Sequence, residues 1–292
     1  MTPTARIWLM AARPRTLPAA VAPVLVGTAL ALHNDEFHAL AFLAALVGAV
    51  LIQVGTNLSN DYSDARRGAD TEDRLGPVRV TAGGLVPPRQ VLVATYLTFG
   101  LAVLVGMYLV AVAGPELLLV GAASILAGVL YTGGPRPYGY EGLGEVFVFT
   151  FFGIVAVTGT YYVQAEMLPT EAFMLAIPVG LLAAAILVVN NVRDLETDRR
   201  AGKRTLAVRL GRERTRGLYA GMLAAAFGVL IPLALKIGPW VFVAVAAAPL
   251  AWRLIGTVQS HSDGPTLNRA LAGTGMLQLV FCVLLSAGIL LS

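Results

Sequence analysis

Two polar stretches hold most of the residues able to do chemistry. The first reads Asn57-Leu-Ser-Asn60-Asp61-Tyr62-Ser-Asp64-Ala-Arg66-Arg67-Gly68-Ala-Asp70. The second reads Asn190-Asn191-Val-Arg193-Asp194-Leu-Glu196-Thr-Asp198-Arg199-Arg200-Ala-Gly202-Lys203. A shift of 133 residues lays Asn57 on Asn190, Asp61 on Asp194 and Arg66-Arg67 on Arg199-Arg200. This reads as one half-site written twice, with pseudo-repeat halves of about 1–133 and 134–267. On a helix, Asn57, Asp61 and Asp64 form one stripe, and Asn190, Asp194 and Asp198 another. Like charges ~4 Å apart cost about 4 kcal/mol at an effective dielectric near 20. Two such carboxylate faces therefore call for cations. Oxygen donors with no His or Cys among them suit Mg²⁺, which usually bridges carboxylates to a substrate phosphate. The neighbouring arginines and Lys203 offer what a polyphosphate needs.

The elements that position these stretches follow from composition. Of 292 residues, 57% are hydrophobic and only 13% charged, against roughly 25% charged in a soluble domain. The surrounding solvent is therefore lipid. The net charge of +4 does not indicate a nucleic-acid partner, because the basic residues lie between apolar runs. Cys282 is the one cysteine, which excludes an intrachain disulfide. Nine apolar runs approach the span of a hydrocarbon core. They lie near 17–33, 38–56, 91–113, 116–132, 143–163, 171–189, 217–235, 239–257 and 268–291. The expected fold is a single all-α domain over 1–292, a bundle of nine transmembrane helices with two Asp-rich loops on one side. All of the 21 lysines and arginines except Lys236 fall on that side. The positive-inside rule makes it the cytoplasm, with the N-terminus inside and the C-terminus outside. The Arg-rich start reads as the first membrane helix rather than a cleaved leader, since its removal would reverse the charge bias.

An acidic, cation-binding mouth on an apolar bundle suits one chemistry. The charges hold the diphosphate of an allylic isoprenoid as it departs. The dry interior shields the allylic cation until an electron-rich second substrate captures it.

With nine helices, Asn57-xxx-Asp61-xx-Asp64 and Asn190-xxx-Asp194-xxx-Asp198 resemble the UbiA-type intramembrane aromatic prenyltransferases over essentially the whole chain. More narrowly, several stretches are similar to the 1,4-dihydroxy-2-naphthoate prenyltransferases of menaquinone synthesis. These are Arg13-Pro-Arg-Thr-Leu-Pro18, Gly76-Pro-Val-Arg79, Tyr131-Thr-Gly-Gly-Pro135, Tyr138-Gly-Tyr-Glu-Gly-Leu-Gly-Glu145 and Gly202-Lys-Arg-Thr205. The resemblance implies a multi-pass enzyme of the cell membrane. It implies transfer of a polyprenyl group from its diphosphate to 1,4-dihydroxy-2-naphthoate, with loss of carbon dioxide, to give demethylmenaquinol.

By the same resemblance, Asp61 and Asp64 ligate one Mg²⁺ and Asp194 and Asp198 the other, assisted by Asn57 and by Asn190 or Asn191. Asp70 either orients the first site or helps deprotonate the phenol. Arg79, Lys203 and Arg204 are candidates for the diphosphate oxygens, and Tyr62 and Tyr131 for the border of the reacting carbon. Tyr138 and Tyr140 read equally well as interfacial anchors, and Glu141 and Glu145 as loop charges. Two other readings stand beside this one. One is the same chemistry on another aromatic acceptor. The other is a cation-coupled transporter, against which the helix centres show no clear charge.

Overall fold

The computed structural model describes residues 2–69 and 75–292, and every regular element among them is helical. A short first helix, α1 (Pro3–Ala12), ends where Arg13 takes a left-handed conformation, and a single 3₁₀ turn at Pro14–Thr16 leads into α2 (Leu17–His33). The break follows from Pro14, which has no N–H to continue the helix. Then come α3 (Ala39–Arg66), α4 (Pro88–Ala113) and α5 (Glu116–Leu130). Pro88 opens α4 at a position where a missing N–H costs nothing. Next are α6 (Gly144–Phe149) and α7 (Ala156–Ala165), continuous through a π turn at Thr150–Val155. They are followed by α8 (Thr170–Arg200), the short α9 (Leu206–Leu210), α10 (Arg212–Gly228) and α11 (Leu230–Lys236). A 3₁₀ stretch at Pro239–Ala247 runs into α12 (Ala248–Ser260), and α13 (Gly264–Leu291) closes the chain.

Among the described residues, eight helical spans are long and apolar enough to cross a membrane. The fourth expected span departs from this pattern. Its helix α5 has 15 residues, or ~22 Å, against a hydrocarbon core of about 30 Å. The Thr132-Gly133-Gly134 turn ends it, with Gly134 at φ 72°.

Length positions the chemistry. At 28 residues α3 is ~42 Å long, and α8 at 31 residues is ~46 Å. Both are longer than a hydrocarbon core of about 30 Å, and their C-terminal parts carry Asn57–Asp64 and Asn190–Asp198.

The buried core lies among α2, α7, α8, α10, α11, α13 and the 3₁₀ stretch at Pro239–Ala247, where Leu175, Leu182, Leu223, Leu230, Leu277, Phe281 and Leu285 are fully enclosed. By contrast, Leu97, Leu101 and Leu104 of α4 and Leu119 of α5 are exposed, as expected of side chains that face lipid. Helices approach closely where glycines meet. A Cβ on Gly153, in the π turn, would lie 2.6 Å from the Cα of Gly180 in α8.

Candidate active site

One cavity of about 910 Å³ runs between α2, α3, α4, α5, α6, α7, α8 and α13. Its inner wall is apolar, with Ile52, Met107, Leu117, Phe147, Phe151, Val155 and Leu187. Its other end is polar. There α3 supplies Asn57, Asn60 and Asp64, and α8 supplies Asn190, Asn191, Arg193, Asp194 and Asp198. The loop before α4 adds Arg79 and the turn after α8 adds Lys203. A cavity with a charged mouth and an apolar body fits a molecule with an anionic head and a hydrocarbon tail.

The carboxylates come with cations already beside them. Arg79 Nη2 donates to Asp64 Oδ2 at 3.0 Å, and the Tyr140 hydroxyl donates to Asp64 Oδ1 at 2.5 Å. Arg193 grips Asp194 with two nitrogens, Nε to Oδ1 at 2.7 Å and Nη2 to Oδ2 at 2.5 Å, and also donates to Asn190 Oδ1 at 2.8 Å. Lys203 Nζ lies 3.7 Å from Asp198 Oδ1 and 4.6 Å from the centre of the Tyr140 ring. Tyr140 thereby joins the two halves, touching Asp64 with its hydroxyl and Lys203 with its face. Buried charges are tolerated when they are paired, and here Asp64, Asp194 and Asp198 each lie beside a cation.

The expected site residues divide by position. Asn57 is buried, and its amide donates to Ala12 O and to Thr16 Oγ1, both at 3.0 Å, fixing α3 to the α1–α2 corner. Asn191 donates to Glu145 Oε1 at 2.8 Å. Tyr131 lines the cavity. Asp61 does not. Its two oxygens accept the backbone N–H groups of Val80 at 3.1 Å and Thr81 at 2.9 Å, so it anchors the loop carrying Arg79. Tyr62 is also outside the cavity lining, packed against the cluster of Ala11, Leu58, Val80 and Val91. The reason is helical geometry. Positions 57, 60 and 64 share the face that meets the cavity, whereas 61 and then 62 turn progressively away from it. The Arg204 side chain is exposed outside the lining, although its N–H donates to Tyr140 O at 2.7 Å. Asp70 lies outside the described residues.

Three contributors escaped the reading by spacing. Arg193 counted only as a basic loop residue, yet it is buried and holds Asp194. Tyr140 is a site residue rather than an interfacial anchor. Glu145 is buried behind Asn191 rather than a solvated loop charge. The usable signal was the motif Tyr138–Glu145, dense in aromatics and glycines on a short connection. Glu141, in the same motif, does face solvent. Arg136 donates to it at 3.1 Å, and that hydrogen bond holds its carboxyl below the usual range.

The donor chemistry fits a hard divalent cation. The cavity presents carboxylate and amide oxygens with no His or Cys. Among the described residues, no three His, Cys, Asp or Glu side chains form a ready-made cage.

Comparison with known proteins gives the family. The model of the UbiA prenyltransferase family matches residues 20–289. A 1,4-dihydroxy-2-naphthoate octaprenyltransferase of Mycobacterium tuberculosis is 47% identical over 94% of this chain and 94% of its own length. One from Escherichia coli is 40% identical over 94% and 93%. A UbiA homolog from Archaeoglobus fulgidus, bound to DMAPP and Mg²⁺, superposes with a TM-score of 0.70 at 14% identity, over 97% of this chain and 98% of that one. At that identity the likeness is one of fold.

Proposed function

Because this chain belongs to the UbiA prenyltransferase family, we propose that the cavity is an active site in which a polyprenyl diphosphate meets an aromatic acceptor. The protein is a multi-pass membrane prenyltransferase of menaquinone synthesis. It transfers a polyprenyl group to 1,4-dihydroxy-2-naphthoate, with decarboxylation, to give demethylmenaquinol. The observation that carries the site reading is one continuous cavity with matched charges at one end and an apolar wall behind them.

The residues divide the work. Asp64, Asp194 and Asp198 present oxygens for Mg²⁺, with Asn190 and Asn191 beside them. Asp61, with its two oxygens on the Val80 and Thr81 amides, holds in place the loop that carries Arg79. When bound, Mg²⁺ supplies charge neutralisation to the departing diphosphate. Arg79 and Lys203 hold the diphosphate oxygens. The wall formed by Phe147, Phe151 and Leu187 takes the first isoprene units and excludes water. Tyr131, at the polar edge of that wall, offers its ring to the developing carbocation.

The topology belongs to the same reading. Nine crossings, counting the short α5, place the N-terminus and both aspartate motifs in the cytoplasm, in the inner cell membrane. The pseudo-repeat supports this, since both motifs end corresponding helices on one side of one domain.

The test offers purified protein in detergent a radiolabelled polyprenyl diphosphate and Mg²⁺, with 1,4-dihydroxy-2-naphthoate, 4-hydroxybenzoate or homogentisate given separately. An EDTA-sensitive lipid product from the naphthoate alone is expected. Product from another acceptor would keep the chemistry and replace the substrate. No product from any of them, with folded protein, would overturn the site reading and leave cation transport as its replacement.

A further inference from the structure

The two aspartate motifs are held together by a residue that neither motif contains. Asn268, in the second turn of α13, lines the cavity. Its Oδ1 accepts from Arg193 Nη1 at 2.6 Å, and its Nδ2 donates to the backbone carbonyl of Leu75 at 2.8 Å. Arg193 is the residue that grips Asp194. Leu75 begins the loop segment that reaches Arg79, on Asp64, and Val80 and Thr81, on Asp61. A second contact places the same loop. Gly264, buried in the first turn of α13, lies so close that a Cβ there would sit 3.2 Å from Leu75 Cβ. One amide thus spans from the second motif, on α8, to the loop that serves the first, on α3.

We propose that Asn268 is a positioning residue that couples the two aspartate motifs by fixing the 75–81 loop to Arg193. The chemistry needs both ends of its amide. An acceptor must face the guanidinium and a donor must face the carbonyl, a pair of roles that asparagine fills and aspartate does not. With the bridge made, Arg79 and the Asp194–Arg193 pair keep a fixed separation across the mouth. With it broken, the loop keeps its anchors on Asp61 and Asp64 but loses its tie to α8. The consequence falls on binding of the anionic head, which both motifs must engage together, more than on the chemical step.

This inference rests on the active-site reading above, and the test separates the two. Asn268→Ala and Asn268→Asp are prepared as full-length protein in lipid nanodiscs. Hydrogen exchange of the 75–86 segment is followed by mass spectrometry, and KM for the polyprenyl diphosphate and kcat are measured. Losing one hydrogen bond of ordinary strength corresponds to about a fivefold effect. Both variants are expected to exchange about fivefold faster at 75–86, with α10 and α11 unchanged, and to raise KM about fivefold with a smaller change in kcat. Asp is informative because it keeps the contact to Arg193 and withdraws only the donor to Leu75. Wild-type exchange and KM in Asn268→Asp would confine the residue to Arg193 and overturn the bridge. So would unchanged behaviour in Asn268→Ala, or faster exchange throughout the protein. If the exchange changes as expected while Asp64→Asn stays fully active, the bridge stands and the active-site reading falls.

Discussion

Asp64 receives Arg79 on one oxygen and Tyr140 on the other, so its charge is balanced by the chain itself. The same is true of Asp194 with Arg193. Asp64 and Asp194 would share their oxygens between these partners and a divalent cation, which would leave Arg79 and Arg193 to donate to a diphosphate. Asp64→Asn or Asp194→Asn is therefore expected to lower turnover at least about 100-fold, the scale of losing a charge-stabilising group, while the protein stays folded and monodisperse in detergent. Wild-type activity in either variant would remove that residue from the site. Tyr140 splits into two functions. Tyr140→Phe keeps the ring beneath Lys203 and loses the bond to Asp64, about 1 kcal/mol or fivefold in kcat/KM. Tyr140→Leu loses both and is expected to fall further. The aspartates were legible because residue type and helical spacing together point to oxygen ligation. Arg193 was not, because adjacent positions on a helix face different ways, and only a long fork folding back reaches Asp194. Tyr140 was hidden by distance along the chain, 76 residues from its partner.

The helices place these residues by length and by close approach. Most apolar runs became helices near their expected ends because composition and proline mark the boundaries. The separate α1 was not foreseen, since its 10 residues are too few to read as a span. The contact between the π turn and α8 depends on glycine at both sides. A Cβ on Gly180 would meet Phe149 O at 2.8 Å and Gly153 Cα at 3.1 Å, all backbone or close to it. Gly180→Val is therefore expected to push the helices apart at a cost of about 1–3 kcal/mol, read as a lower thermal midpoint in detergent. Because Phe147 at the end of α6 and Phe151 in the π turn line the cavity, activity should fall with it. An unchanged midpoint would show that α6 and α7 adapt without strain.

At the scale of the whole molecule, the charge asymmetry makes a prediction about sidedness. Cys282 is fully buried, so a Cys282→Ala background is silent to thiol reagents. In that background Arg199→Cys is expected to react with a membrane-impermeant reagent only from the cytoplasmic side, and Lys236→Cys only from the opposite side. Labelling of Arg199→Cys only from outside and of Lys236→Cys only from the cytoplasm would overturn the nine-crossing topology and point to α5 as a helix that does not cross, whereas labelling of both from one face would show that α10 and α11 do not cross.

Residue types and their order along the chain were enough to determine the lipid environment, the helical class, the two oxygen-rich motifs and their place at helix ends. These are local properties, set by hydropathy over a run and by the 3.6-residue turn. The tertiary structure alone decided which aspartates face the cavity, which cations they hold, and that Tyr140, Glu145 and Asn268 belong with them. The reason is physical. The cavity is assembled from helices far apart in the chain, and a side chain's role there depends on what packing brings within hydrogen-bonding distance, which no spacing within one helix encodes.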